Sequence, residues 1–325
     1  APIATTLMGT GSVPGNYPRY MGLLGMHGTR VSNRAVSECD LLITVGARFS
    51  DRVISDMSRF ASNATIMHID ADPAEINKNI TVHYPFSGNI EQVLSGILKR
   101  IKPVDETEWA KCVKSWMKEY ENNNINNGKL TPKFIIEKFS EMTDGNAIIT
   151  TEVGQNQIWA AQYYKFKKPR QYISSGGLGT MGYGTGAAIG VQIGLPDKKV
   201  INIAGDGSFR MNCNELATAV HYKLPIIIAV LNNGTLGMVR QWQTMFYEKR
   251  YSQTTLDRGP DFVKLADAYG AIGIRVEKPE HVQPAIEKAL NSTDCPVVID
   301  FLIDIDEVVL PIVPPGKGID QLIYD

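Results

Sequence analysis

Cysteine is scarce and scattered. The chain holds four in 325 residues, Cys39, Cys112, Cys213 and Cys295, with no CxxC pair and no ligand-like spacing. That excludes a disulfide framework and a thiolate metal site. It reads as reduced thiols packed as small hydrophobes, a pattern of the cytoplasm. Long apolar runs are lacking too. The longest, "LPIIIAVL" (Leu224–Leu231), falls far short of the roughly 20 residues that span a bilayer and has the length of a buried strand. Nor is there an excess of either charge. Lys+Arg is 33 against Asp+Glu 34, a net charge of −1, so nothing global attracts nucleic acid or an anionic membrane. The start, "APIATTLMG", has no Met, no charged leader and no signal-type core; it reads as the interior of a longer protein.

What remains is a globular composition, 43% hydrophobic and 21% charged, at a length that suggests about two domains. "DLLITVGA" (Asp40–Ala47) and "ATIMHIDAD" (Ala64–Asp72) read as strands feeding loops, and "IEQVLSGILKRI" (Ile90–Ile101) as a helix. This alternation predicts a parallel sheet with crossovers. In Glu106–Gly128, Trp109, Val113, Trp116 and Met117 recur at helical spacing, an amphipathic helix docked on a domain. Its Asn-rich tail, Asn122–Asn127, is expected to be a linker. A second α/β block opens at Thr131-Pro132, an N-cap followed by Pro at the first helical position. The expected division is 1–105, a linker helix and Asn-rich linker over 106–128, and 129–325, giving an α/β fold of two parallel-sheet domains.

One acid in the second block sits between two glycines. The strand Val200–Ala204 runs into Gly205-Asp206-Gly207, which is expected to turn the chain. A helix follows over Asn214–Tyr222, with Asn212 or Asn214 as its cap. The chain returns as Ile226–Leu231 and ends in Asn232-Asn233. In a right-handed βαβ unit both strand ends lie on one sheet edge, so Asp206 and Asn233 become neighbours although 27 residues apart. A carboxylate and an amide oxygen suit a hard cation. Mg²⁺ usually takes one or two carboxylates and completes its shell with phosphate and water. The glycines let a diphosphate approach the backbone, and the helix start favours anions. The pattern therefore points to a Mg²⁺ that clamps a diphosphate.

Upstream lies "GGLGTMGYGTGAAIG" (Gly176–Gly190), with seven glycines. It holds a formal GxGxxG at Gly177, Gly179 and Gly182 but no clear acid about 20 residues on, so a dinucleotide fingerprint is rejected. A flat cofactor against bare backbone is the expectation. GDG, 24 residues, then NN resembles the signature of thiamine diphosphate (ThDP) enzymes. Together with "SSGGLGTMGYG", "GMVRQWQTMFYEKRYS", "TTLMGTG", "LGMHGT", "CDLLITVGARFSDRV" and "HIDADPAEI", it resembles the catalytic subunit of the acetohydroxyacid (acetolactate) synthases. The likeness runs over essentially the whole chain, with the motifs in order.

That resemblance implies roles at particular positions. Asp206 and Asn233 would be metal ligands through their side chains and Thr235 through its main-chain oxygen. Gly205, Gly207 and Ser208 would line the cofactor. "EVGQNQ" would be the diphosphate loop, with Val153, Gly154, Gln155 and Asn156 at the cofactor; the family often has His where Asn156 stands. Gly179 would accept the aminopyrimidine amine, and Met181 would wedge the cofactor into a bent shape. Met238, Val239 and Trp242 would wall the substrate site, and Arg52 would meet the acceptor carboxylate with its guanidinium fork. For FAD the similar positions are Thr6, Leu7, Met8, Gly25, Met26, His27, Gly46, Ala47, Arg48 and Asp70.

The resemblance further implies a truncated FAD-binding central domain and a ThDP pyrophosphate-binding domain. The reaction would decarboxylate pyruvate and join the remaining unit to a second 2-keto acid, pyruvate or 2-ketobutyrate, in branched-chain amino acid biosynthesis. The family activates ThDP with a glutamate of an N-terminal domain, and nothing in this sequence matches it. The chain is therefore expected to be a C-terminal portion, inactive alone. A homodimer or higher homo-oligomer, a small regulatory subunit and a cytoplasmic location are also implied. Three other readings stand: a silent cofactor-binding fragment, another ThDP/FAD enzyme such as pyruvate oxidase, and a non-enzymatic scaffold.

Overall fold

Strand and helix alternate along the computed structural model, which describes residues 1–121 and 128–324. The expected linker Asn122–Asn127 lies outside the described residues. Contacts gather the chain into two units. The first comprises Ala1–Gly9, Tyr17–Asn124 and Leu310–Asp325, the second Thr10–Asn16 and Ile125–Val309.

The first unit holds two parallel sheets. One pairs β1 (Ile3–Thr5) with β2 (Tyr20–Leu23); the other has the order β3 (Leu41–Val45), β4 (Thr65–Asp70), β5 (Tyr84–Ser87). The helix Glu108–Glu121 packs here, burying Val113 and Trp116 with Met21, Val31 and Ala35. Ile319, from the end of the chain, is buried with Val36, Phe49 and Ile66, and Asn33 Nδ2 donates to its carbonyl at 2.9 Å.

The second unit is built on six parallel strands: β6 (Ile148–Thr151), β7 (Tyr172–Ile173), β8 (Val200–Gly205), β9 (Ile227–Asn232), β10 (Ile272–Val276) and β11 (Val297–Leu302). Their order is β10-β11-β9-β8-β6-β7. Successive side chains of a strand point to opposite faces, and here both faces are covered. Ile227, Ala229 and Leu231 of β9 join the core beneath the helices Pro132–Met142, Gln155–Tyr163 and Val282–Leu290. Ile228 and Val230 join the core beneath Tyr183–Gly194, Leu216–His221 and Phe262–Tyr269. Burial on both faces is why the strand reads as a continuous apolar run rather than an alternating one. Thr131 caps the helix Pro132–Met142 as expected, its side chain accepting from Phe134 N.

This topology has a switch point. From β6 the chain goes to β7 on one side and to β8 on the other, which opens a crevice at the carboxyl ends of β6 and β8.

Two local expectations are corrected. Gly205–Gly207 is not a free turn: β8 runs to Gly205, and Asp206–Phe209 is a turn of helix. The expected helix Asn214–Tyr222 is split into the 3-10 turn Cys213–Glu215 and the helix Leu216–His221, and neither Asn212 nor Asn214 caps it through a side chain. Asn212 is drawn elsewhere, its Nδ2 donating to Gly182 O at 3.2 Å. Tertiary pairing with the glycine-dense segment wins over local capping.

Candidate functional site

Three strand ends supply the site. After β6 come the buried Glu152 and then Val153-Gly154, where Gly154 has φ +133. That left-handed region favours glycine, and it lets the chain turn into the helix Gln155–Tyr163, whose first N–H groups have no partner within the helix. After β8 comes Asp206 at the start of its short helix. After β9 come Asn233, Gly234 and Thr235. β8 and β9 pair in register to Gly205 and Leu231, so their tips meet: Asp206, Asn233 and Thr235 line one pocket, while the Gly234 N–H donates to Asn232 Oδ1 at 3.2 Å.

A cavity of about 110 Å³ lies among these ends. Its walls bring together Val153, Gly154, Gln155, Asn156, Met181, Gly205, Asp206, Gly207, Ser208, Asn233, Thr235, Met238 and Val239. Thirteen positions singled out from the sequence thus share one pocket. Ligand pockets typically run to about 300–1,000 Å³, so this cavity suits a phosphorylated end rather than a whole coenzyme. Gly179 and Trp242 are not among its walls. Gly179 is exposed with φ +74, and Trp242 stands edge-on to Phe246 at 5.2 Å between ring centroids. Trp159, Leu231, Leu236 and Gly237 also line the cavity and were not anticipated. Of these, only Gly237 carries a sequence signal, a glycine at a helix start.

Burial dominates the electrostatics. Asp206 is pushed from its ordinary 3.8 up to about 6 because the pocket strips water from its carboxylate. Backbone N–H groups of Asp206, Gly207 and Gly234 and the charge of Arg210 oppose that shift without cancelling it. A dehydrated carboxylate favours a cation beside it. Asn233 Oδ1 accepts from Thr235 N at 3.2 Å and keeps a second lone pair. Among the described residues no group of three His, Cys, Asp or Glu converges. The oxygens present are one carboxylate, one amide and backbone carbonyls, a set that fits Mg²⁺ better than a softer metal. Asn156 lies on the wall with its buried Oδ1 unpartnered.

Glu152 does not face the cavity. Its Oε2 accepts from Gly182 N at 2.8 Å, and its Oε1 from Thr185 N at 3.1 Å and Thr185 Oγ1 at 3.2 Å. It thereby satisfies the free N–H groups at the start of the helix Tyr183–Gly194, and burial raises its pKa. The glycine-dense segment is tied to the end of β6 by this carboxylate.

In the first unit the positions matched to a flavin follow strand ends too. Thr6, Leu7 and Met8 follow β1, and Gly25, Met26 and His27 come shortly after β2. Gly46, Ala47 and Arg48 follow β3, and Asp70 ends β4. Met26 N donates to Arg52 O at 2.8 Å, so the segments after β2 and β3 touch. His27 is held by the Pro311 carbonyl at 3.1 Å, and burial first, with Arg52 adding, lowers its pKa to about 4. Asp70 is buried, with Oδ1 accepting from Asp72 N at 2.9 Å. The Arg52 side chain is 67% exposed and reaches Met26 Sδ.

Residues 152–301 match the family described as thiamine pyrophosphate enzyme, C-terminal TPP binding domain. Residues 1–97 match the thiamine pyrophosphate enzyme central domain. The chain belongs to the thiamine pyrophosphate enzymes. It is 42% identical to a probable acetolactate synthase large subunit of Methanococcus aeolicus, over 99% of this chain and 56% of that protein. It is 40% identical to the acetolactate synthase isozyme 3 large subunit of Escherichia coli K12, over 99% and 58%. It is 45% identical to the acetolactate synthase large subunit of Corynebacterium glutamicum, over 99% and 53%. The chain therefore spans a little more than half the length of these relatives. The residues lining the pocket at β6, β8 and β9 all lie within the TPP-binding match. Among the described residues no helix is long and apolar enough to cross a membrane.

Proposed function

We propose that this chain forms the diphosphate-binding half of an acetolactate synthase catalytic subunit. The observation that carries the reading is the meeting of Asp206 with the Asn233–Thr235 tip in one buried pocket beneath an open helix start. Asp206, Asn233 Oδ1 and the Thr235 carbonyl would hold Mg²⁺. The backbone around Gly154–Asn156 and Gly205–Ser208 would receive the diphosphate, with Asn156 Nδ2 as a side-chain donor. Met181 would lie under the coenzyme ring with Gly179 beside it, and Met238, Val239 and Trp242 would bound the substrate. Arg52 would receive the carboxylate of the acceptor.

When bound, thiamine diphosphate supplies the electron sink that lets a 2-keto acid lose CO₂. The chain's own contribution is to hold, orient and dehydrate. Asp206 would hold the cation as a carboxylate, and the apolar walls from Leu231, Leu236 and Met238 would exclude water.

The whole protein would condense pyruvate with pyruvate or 2-ketobutyrate in branched-chain amino acid biosynthesis, in the cytoplasm, as a homodimer or larger. The names of the relatives as large subunits support a small regulatory partner. FAD is assigned to Thr6–Met8, Gly25–His27, Gly46–Arg48 and Asp70 on their shared position at strand ends. The domain division is proposed at 1–105, 106–128 and 129–325.

Calorimetric titration of the chain with ThDP tests this reading. Binding is expected only when Mg²⁺ is present, with inorganic diphosphate competing. Equal binding with and without Mg²⁺, or none at all, would overturn it.

A further inference from the structure

Three buried amides form a chain behind the pocket. Asn233 Nδ2 donates to Gln155 Oε1 at 3.3 Å. Gln155 Nε2 donates to Gln241 Oε1 at 3.0 Å and to the Glu307 carbonyl at 2.8 Å. Gln241 Nε2 donates to the Val309 carbonyl at 2.9 Å, while Val309 N–H donates to Gln241 Oε1 at 2.8 Å. Asn233, Gln155 and Gln241 are 8%, 5% and 2% exposed, so water cannot replace a partner that turns away.

A side-chain amide has two ends of nearly equal shape and opposite chemistry. It can point either way unless its neighbours decide. A backbone group cannot reverse: its N–H only donates and its C=O only accepts. Val309 offers both to Gln241, which fixes which end of that amide is which. Glu307 offers a carbonyl to Gln155, and the oxygen of Gln241 lies beside it. Both demand the nitrogen of Gln155 on that side, so its oxygen turns toward Asn233. That oxygen in turn demands the nitrogen of Asn233. The remaining end of Asn233 is Oδ1, the atom a cation needs.

We propose that Gln155 and Gln241 are positioning residues that transmit the polarity of the Glu307 and Val309 backbone to Asn233, so that its oxygen faces the cation. The inference rests on the assignment of Asn233 as a ligand. It also explains two features of the site. The Gln155 side chain is consumed by the amide chain, leaving its backbone N–H for a phosphate. Gly237 lies against this contact: a Cβ there would stand 2.7 Å from Asn233 Nδ2 and closer still to Gln155 Oε1, forcing the pair apart.

The test is a double-mutant cycle read by the electron paramagnetic resonance of Mn²⁺, titrated into the folded chain with ThDP present. Gln155→Met removes the group that orients Asn233 and is expected to weaken Mn²⁺ about tenfold, the scale of losses when a partner of a metal ligand is removed. Asn233→Asp places oxygen on both branches, so orientation no longer matters. In that background Gln155→Met is expected to cause no loss. Equal losses in both backgrounds would reduce Gln155 to packing and overturn the proposal, as would no loss with Asn233 present. If the unsubstituted chain binds no Mn²⁺ at all, the ligand assignment fails and takes the proposal with it. Should Gln155→Met not fold, side-chain amide hydrogen exchange in the metal-free chain decides. Slow exchange at Asn233 Nδ2, Gln155 Nε2 and Gln241 Nε2 is expected, and fast exchange at Asn233 would overturn the relay.

Discussion

Asp206→Asn is expected to stabilise the metal-free chain at pH 8 and to abolish its stabilisation by Mg²⁺. The carboxylate of Asp206 is held at about 6 instead of 3.8. The folded chain thus binds that proton more tightly than the unfolded chain. Stability falls as pH rises through the window from about 3.8 to about 6 and stays low above it. A shift of this size corresponds to about 3 kcal/mol. An asparagine carries no charge to bury, but its NH₂ would face the backbone N–H groups near the carboxylate. That mismatch returns about 1 kcal/mol, leaving a gain of about 2 kcal/mol at pH 8. Urea unfolding in EDTA across pH 4 to 8 measures it. The advantage of the variant should grow with pH and level off above about 6. Adding Mg²⁺ and ThDP should then raise the stability of the unsubstituted chain alone. Below pH 6 the cation must displace a proton from Asp206, so its affinity should fall about tenfold per pH unit. A variant that is less stable at pH 8, or that still responds to the cation, would contradict this picture.

Gly184→Ala is expected to cost about 3 kcal/mol, while Gly190→Ala on the same helix stabilises by about 0.5–1 kcal/mol. Both glycines lie within Tyr183–Gly194, where alanine is intrinsically the better helix former. The difference is what a methyl group would meet. At Gly190 nothing lies within 4 Å. At Gly184 the added carbon would stand 2.7 Å from Thr151 C and 2.8 Å from Glu152 N, and nearer still to Asn202 Oδ1. Two of those atoms are backbone at the end of β6 and cannot yield without moving the Val153–Asn156 loop. Gly184→Ala should therefore lower ThDP affinity as well as stability. Urea midpoints for the two variants, with ThDP titrations on each, check both parts.

That contrast shows what the sequence could and could not disclose. The density of glycine in Gly176–Gly190 was visible, and a cofactor against bare backbone was the reading. The helix Tyr183–Gly194 itself needs Gly182, which starts it at φ +88, and Gly184, which touches β6. Gly177, Gly179, Gly186 and Gly190 stand open. A one-dimensional pattern cannot separate glycines that serve packing from glycines that face a ligand. The meeting of Asp206 with the Asn233 tip was legible because one βαβ unit with parallel strands determines it. The strands β8 and β9 were legible because burial on both faces leaves an unbroken apolar run. The start of the following helix was not, because Asn212 turned to Gly182 instead of capping locally. Nor was the amide chain. Gln155, Asn233, Gln241 and Val309 come together through four separate elements, and glutamines carry no spacing signature of their own. Glu152 opens the "EVGQNQ" motif, and the structure shows its part there: a carboxylate that ties the start of a helix to a strand end.

The most direct test of the account is the phosphorus-31 hyperfine spectrum of Mn²⁺ bound to this chain with ThDP. The account predicts couplings from the diphosphate that disappear in Asp206→Asn. Mn²⁺ bound without phosphorus coupling, or with coupling untouched by that substitution, would contradict it.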